Sequence, residues 1–99
     1  MSTLRTMQIR RKLSSYEAVR FEGSSVNAKA ILDWAQEGGA LVRGHYREGM
    51  GQEPDSLFIP LPTGEVCRVD RGSYLLRWGP GRFVAVGIEE FADCYEVVP

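Results

Sequence analysis

Ninety-nine residues make one domain with a single modest core, and a composition 43% hydrophobic and 25% charged is that of an ordinary globular protein. No run approaches the ~20 apolar residues of a membrane span, and the polar start Met1-Ser2-Thr3-Leu4-Arg5-Thr6 lacks a signal-peptide core, so a cytoplasmic location is expected. A net charge of −1 gives no whole-molecule field for nucleic acid. Charge is nonetheless uneven. Residues 1–20 carry Arg5, Arg10, Arg11, Lys12 and Arg20 against Glu17, a sum of +4, whereas residues 83–99 carry Glu89, Glu90, Asp93 and Glu96 and no cation. Ends of opposite sign can lie side by side as neighbouring strands.

Residues 1–6 are polar and expected to fray. Residues 7–13 form a candidate strand whose cluster Arg10-Arg11-Lys12 reads as a solvated edge, where charge blocks aggregation, or as a nucleic-acid patch. In residues 16–22 apolar and charged side chains interleave, which predicts one buried and one wet face. Gly23-Ser24-Ser25 then breaks the strand, with either serine able to cap a helix. Ala28, Ile31 and Ala35 share one face of the predicted helix 26–37, Leu32 and Trp34 stand at its margins, and Gly38-Gly39 stops it. Trp34 is expected in the core. Residues 40–43 resume as a short strand. Residues 44–56, GHYREGMGQEPDS, hold too little apolar surface to fix themselves, and predict a mobile loop or a hairpin extension.

Residues 57–61 form a strand ended by Pro60 and Pro62, and residues 65–69 the next. Two strand-like runs, 74–78 and 82–86, flank Gly79-Pro80-Gly81 and predict a β-hairpin. A short helical turn over 87–91 and a last strand at 94–98 complete the chain. Close turns favour antiparallel pairing, so the expected fold is α+β: a bent antiparallel sheet or partly open small barrel of about six to eight strands, with one covering helix at 26–37.

No catalytic constellation is legible. His45 lies in the glycine-rich segment, while Cys67 and Cys94 fall in predicted strands and are expected as reduced, buried thiols. Neither CxxC spacing nor a phosphate loop nor GxGxxG occurs, so no metal or cofactor is called for and an enzyme is not expected. Glu89, Glu90 and Asp93 read as a solvated turn.

Two blocks carry a resemblance. Arg11, Lys12, Glu17, Ala18, Phe21 and Gly23 follow the opening of a group of small tailed-phage proteins: a basic pair, an apolar stretch, Glu-Ala, an aromatic and a glycine. Gly72, Tyr74, Leu75, Leu76, Arg77, Gly81, Phe83, Phe91, Tyr95 and Glu96 resemble their closing block in an ungapped register, and a Trp-containing helix lies between. Leu13 stands where those proteins usually have proline, and Ser73 where they have an acidic residue. The resemblance implies a phage accessory protein, and the ten arginines to two lysines then suit a GC-rich host.

The expected function is therefore non-enzymatic binding of a host protein in the host cytoplasm. Tyr46, Arg47 and Met50 are the first candidate contacts, with Trp78 and Arg82 at the hairpin tip second, because aromatic and arginine residues anchor interfaces. The alternatives are a nucleic-acid-binding β domain using Arg10, Arg11 and Lys12, and a virion or assembly component. Self-association is left open.

Overall fold

The computed structural model describes residues 4–11, 14–48 and 53–97. Its longer helix begins where Gly23-Ser24-Ser25 interrupts the preceding strand. Ser24 is extended, and its hydroxyl accepts the Asn27 N–H at 3.0 Å, satisfying one of the free donors of the first turn. This helix, α1 (Ser25–Glu37), buries Ala28, Ile31, Leu32 and Ala35, an i, i+3, i+4, i+7 stripe. It ends in a Schellman motif: Gly39, at φ +107°, donates to the Gln36 carbonyl and Ala40 to that of Ala35.

Around α1 the chain forms β1 (Met7–Arg11), β2 (Ser14–Arg20), β3 (His45–Glu48), β4 (Pro54–Pro60), β5 (Val66–Asp70), β6 (Tyr74–Gly79) and β7 (Arg82–Val86). A second helix, α2 (Ile88–Cys94), and a two-residue strand, β8 (Glu96–Val97), follow. The strands make two antiparallel sheets, β7-β6-β2-β1-β8 and β3-β4-β5, which do not close into a barrel. Edge strand β5 lies against edge strand β7 without forming a ladder with it. The fold is thus α+β, with the expected helix and hairpin in place. Within the segment 44–56, β3 pairs with the start of β4, with Tyr46 opposite Leu57, and residues 49–52 lie outside the described residues.

The five-stranded sheet carries a buried cluster on each face. Val19, Leu75 and Phe83 join α1, Phe21 and the β4 residues Leu57 and Ile59 in one cluster. Their neighbours Ala18, Leu76 and Val86 join Ile9 and Phe91 of α2 in another. The wet face expected for residues 16–22 is therefore corrected: Ala18 and Val19 are adjacent and both fully buried, one to each side. Leu4, in the stretch expected to fray, packs against the α1 cluster. The oppositely charged ends do meet, since β1 pairs with β8 and Arg10 stands opposite Glu96.

Two further expectations need correction. Residues 40–43 form no strand. Arg43 is tied to the helix through Asp33 at 2.8 Å, Leu41 N–H reaches the Pro60 carbonyl, and the successive exposure of Leu41 and Val42 fits no alternating ladder. Cys94 ends α2 rather than opening a strand, because Phe91 and Tyr95, one helical turn apart, both seat on the sheet. Arg77 locks the assembly, donating to the Gly38 carbonyl and to Glu17, each at 2.9 Å. No helix among the described residues is long and apolar enough to cross a membrane.

Candidate functional site

The candidate anchors fall on two surfaces. Trp78 sits in a β-bulge, where the β6–β7 register shifts between Arg77 and Gly79. A bulge re-aims a side chain and is a common device beside binding sites. Trp78 is 45% exposed and meets Tyr16 edge-on at 6.4 Å between ring centroids; Tyr16 in turn meets Tyr95 at 5.7 Å. Register places Val84 opposite Leu76 and Val97 opposite Ile9, so both belong to this same face. Both are exposed. A seven-residue helix is too short to roof five strands, and Trp78 and Val84 stay open beside the half-buried Tyr16. Arg82, at the start of β7, is exposed at that end of the sheet.

The other group divides. Tyr46 is half-buried against the α1 cluster, and its neighbour Arg47 is held to Asp55 at 3.7 Å. Tyr46 is therefore largely committed to folding, although its segment looked too polar to fix itself. Pairing with β4 supplies the apolar partner that the local sequence lacks. Met50 and Lys12 lie outside the described residues. Arg10 and Arg11 occupy the last positions of β1, and antiparallel pairing puts that strand end beside the Trp78 end of β6 across β2.

Potential chemical groups are dispersed. His45 stacks on Phe58 of β4 with centroids 5.1 Å apart, Cys67 lies on β5, and Cys94 on α2. No hydrogen bond joins His45 to either thiol, and no cluster of three metal-capable side chains forms, among the described residues. Asp70 accepts from Arg68 at 2.8 Å and from the buried Ser56 hydroxyl at 2.9 Å. Those bonds, Arg68 first, hold its carboxyl below the usual range, so its contribution to stability is present above ordinary carboxylate pH and lost on acidification. This is a structural clasp between β4 and β5.

Comparison with protein-family models, curated proteins and solved structures gives no match. The site thus rests on its own geometry.

The expectation of two buried thiols is corrected: Cys94 is exposed and Cys67 half-buried. Burial pushes the Cys67 thiol up, partly offset by a hydrogen bond with the Ala85 backbone across the gap between sheets. Cys94 should therefore react rapidly with a neutral thiol reagent and Cys67 at least roughly tenfold more slowly, since the thiolate is the nucleophile. Peptide mass spectrometry over a labelling time course reads both rates, and equal rates would contradict this placement of Cys67.

Sequence reasoning missed Tyr16 and Val84 as neighbours of Trp78. Sixty-odd residues separate Tyr16 from Trp78, and only the β2–β6 ladder brings them together. The one local signal was the apolar-polar phase of each strand, which assigns Tyr16 and Ala18 to one face.

Proposed function

We propose that this chain is a non-enzymatic tailed-phage accessory protein that binds a host protein in the host cytoplasm. Its contact surface is the Trp78 end of the five-stranded sheet. The observation that carries this reading is the exposed tryptophan in a bulge, on an apolar face that α2 covers only in part. A half-solvated tryptophan beside an apolar face gains most from burial at an interface. The closing block of the phage resemblance, Gly72 to Glu96, builds this same face. The segment 44–56 becomes the second choice, because Tyr46 already packs against the core.

Affinity capture from host lysate with wild-type, Trp78→Ser and Arg47→Ser proteins tests the reading. A specific host protein should be retained by wild-type and Arg47→Ser, and its affinity should fall at least thirtyfold, about 2 kcal/mol, with Trp78→Ser. The folding cost of Trp78→Ser should stay near the ~0.5–1.5 kcal/mol of its aromatic pair. Loss with Arg47→Ser and not Trp78→Ser would move the contact to the β3–β4 hairpin.

One observation favours nucleic acid as a second reading: Arg11 ends β1, Arg82 starts β7 and Trp78 stands one residue from the end of β6, all at the same end of the sheet. Binding of that kind would weaken steeply with salt, as phosphate contacts release counterions. A protein contact dominated by Trp78 would not.

A further inference from the structure

The opposite end of the same sheet holds a groove. The β1–β2 ladder stops at Met7 opposite Ala18, while β2 runs on against β6 to Arg20 opposite Tyr74. Beyond Met7 the N-terminal segment therefore leaves β2 on that side. The space between them is about 600 Å³, lined by residues 4–7, Arg20, Glu22 and Asn27. That volume is within the usual range for small-molecule sites.

Arg5 and Arg20 both line this space, and both are exposed. Two like charges lining one space repel unless an anion lies between them. Neither guanidinium has a carboxylate within ion-pair distance among the described residues, whereas Arg43, Arg47, Arg68, Arg71 and Arg77 all do. Arg20 is also positioned, its guanidinium lying 5.9 Å from the centre of the Tyr74 ring. The rim is fixed by Asn27, whose amide oxygen accepts the Glu22 N–H at 2.7 Å and whose nitrogen donates to the Arg20 carbonyl at 3.3 Å. Leu4 and Met7 are anchored in the two different apolar clusters and supply apolar wall.

We propose that this groove binds a small organic oxyanion between Arg5 and Arg20, with the ligand's apolar portion against Leu4 and Met7. A phosphate monoester or a carboxylate offers the shared chemistry: paired oxygens that two guanidinium forks recognise and that cancel their mutual repulsion. Glu22 on the rim opposes the anion, so it limits affinity and disfavours extended polyanions.

Amide chemical shifts of the labelled full chain, titrated with phenyl phosphate, phenylacetate and inorganic phosphate, provide the test. Shifts should concentrate at residues 4–7 and 20–27. Response to phenyl phosphate and inorganic phosphate alone identifies a phosphate site; response to both aryl ligands and weakly to inorganic phosphate identifies a general oxyanion site with an apolar pocket. Arg5→Gln and Arg20→Gln should each weaken binding roughly tenfold or more while leaving distant shifts in place. Glu22→Gln should tighten binding roughly two- to fivefold, a gain that a partly unfolded variant could not produce. No saturable shift at these residues with any of the three ligands, or binding unchanged by both arginine substitutions, would overturn the proposal.

Discussion

Replacing Gly39 by alanine should cost about 2–5 kcal/mol of folding stability. The residue sits at φ +107°, where an L side chain carries about 1–2 kcal/mol of strain. Space adds the rest. A Cβ here would run into the Gly81 backbone nitrogen, which donates to the Gly38 carbonyl at 2.9 Å as the end of α1 seats on the β6–β7 turn. Displacing backbone in a packed contact costs about 1–3 kcal/mol more. Gly64 is the control, because it has φ +92° and nothing within 4 Å of an added Cβ. Gly64→Ala should therefore show the strain alone. Urea midpoints at constant m measure both. If Gly39→Ala costs no more than Gly64→Ala, the helix end is not seated on that turn. Because the same turn follows the Trp78 bulge, Gly39→Ala should also blunt the proposed capture of a host protein at temperatures where the variant remains folded.

Phe21→Ala is the second large effect, expected at about 3–5 kcal/mol. Among the described residues Phe21 leads the fully buried side chains by size, and it packs where α1, β4 and the five-stranded sheet converge. Its backbone is clasped as well: its N–H reaches the Ser73 carbonyl at 3.0 Å and its carbonyl accepts from Gly72 at 2.7 Å. The clasp resists collapse into the vacated space, which keeps the cost at the upper part of that range. Domains of this size hold about 5–15 kcal/mol in total, so the variant should be marginal, with Tm lowered by at least about 12 °C. Calorimetry reads this directly; a drop of only a few degrees would mean that α1 and the sheets do not share one core at Phe21.

Local chemistry made much of the scaffold legible. Ser24 as helix cap, Gly39 as helix stop and the Gly79-Pro80-Gly81 turn each depend on backbone requirements that a few adjacent residues satisfy or fail. The charge asymmetry between the two ends also carried through, since Arg10 and Glu96 are register partners in β1 and β8. The extent of α2 was less legible. Its first turn reads from Ile88-Glu89-Glu90, but its continuation to Cys94 depends on Phe91 stacking on Tyr74 with ring centroids 3.7 Å apart and on Tyr95 reaching Tyr16.

By itself the sequence determined the α+β class, the place of α1 and the final hairpin, because these follow from periodicity and turn chemistry over a dozen residues or fewer. Only the tertiary structure decided how the strands divide into two sheets, that β2 is buried on both faces, and which aromatic stays outside. Tyr46 and Trp78 look alike in sequence, each beside an arginine and near glycines. Tyr46 meets Leu57 and the α1 core, whereas Trp78 falls in a bulge on a face that α2 is too short to cover. The groove between Arg5 and Arg20 arises in the same way, from the point at which one ladder ends while the next continues. Burial of such groups is set by long-range pairing, which no local pattern encodes.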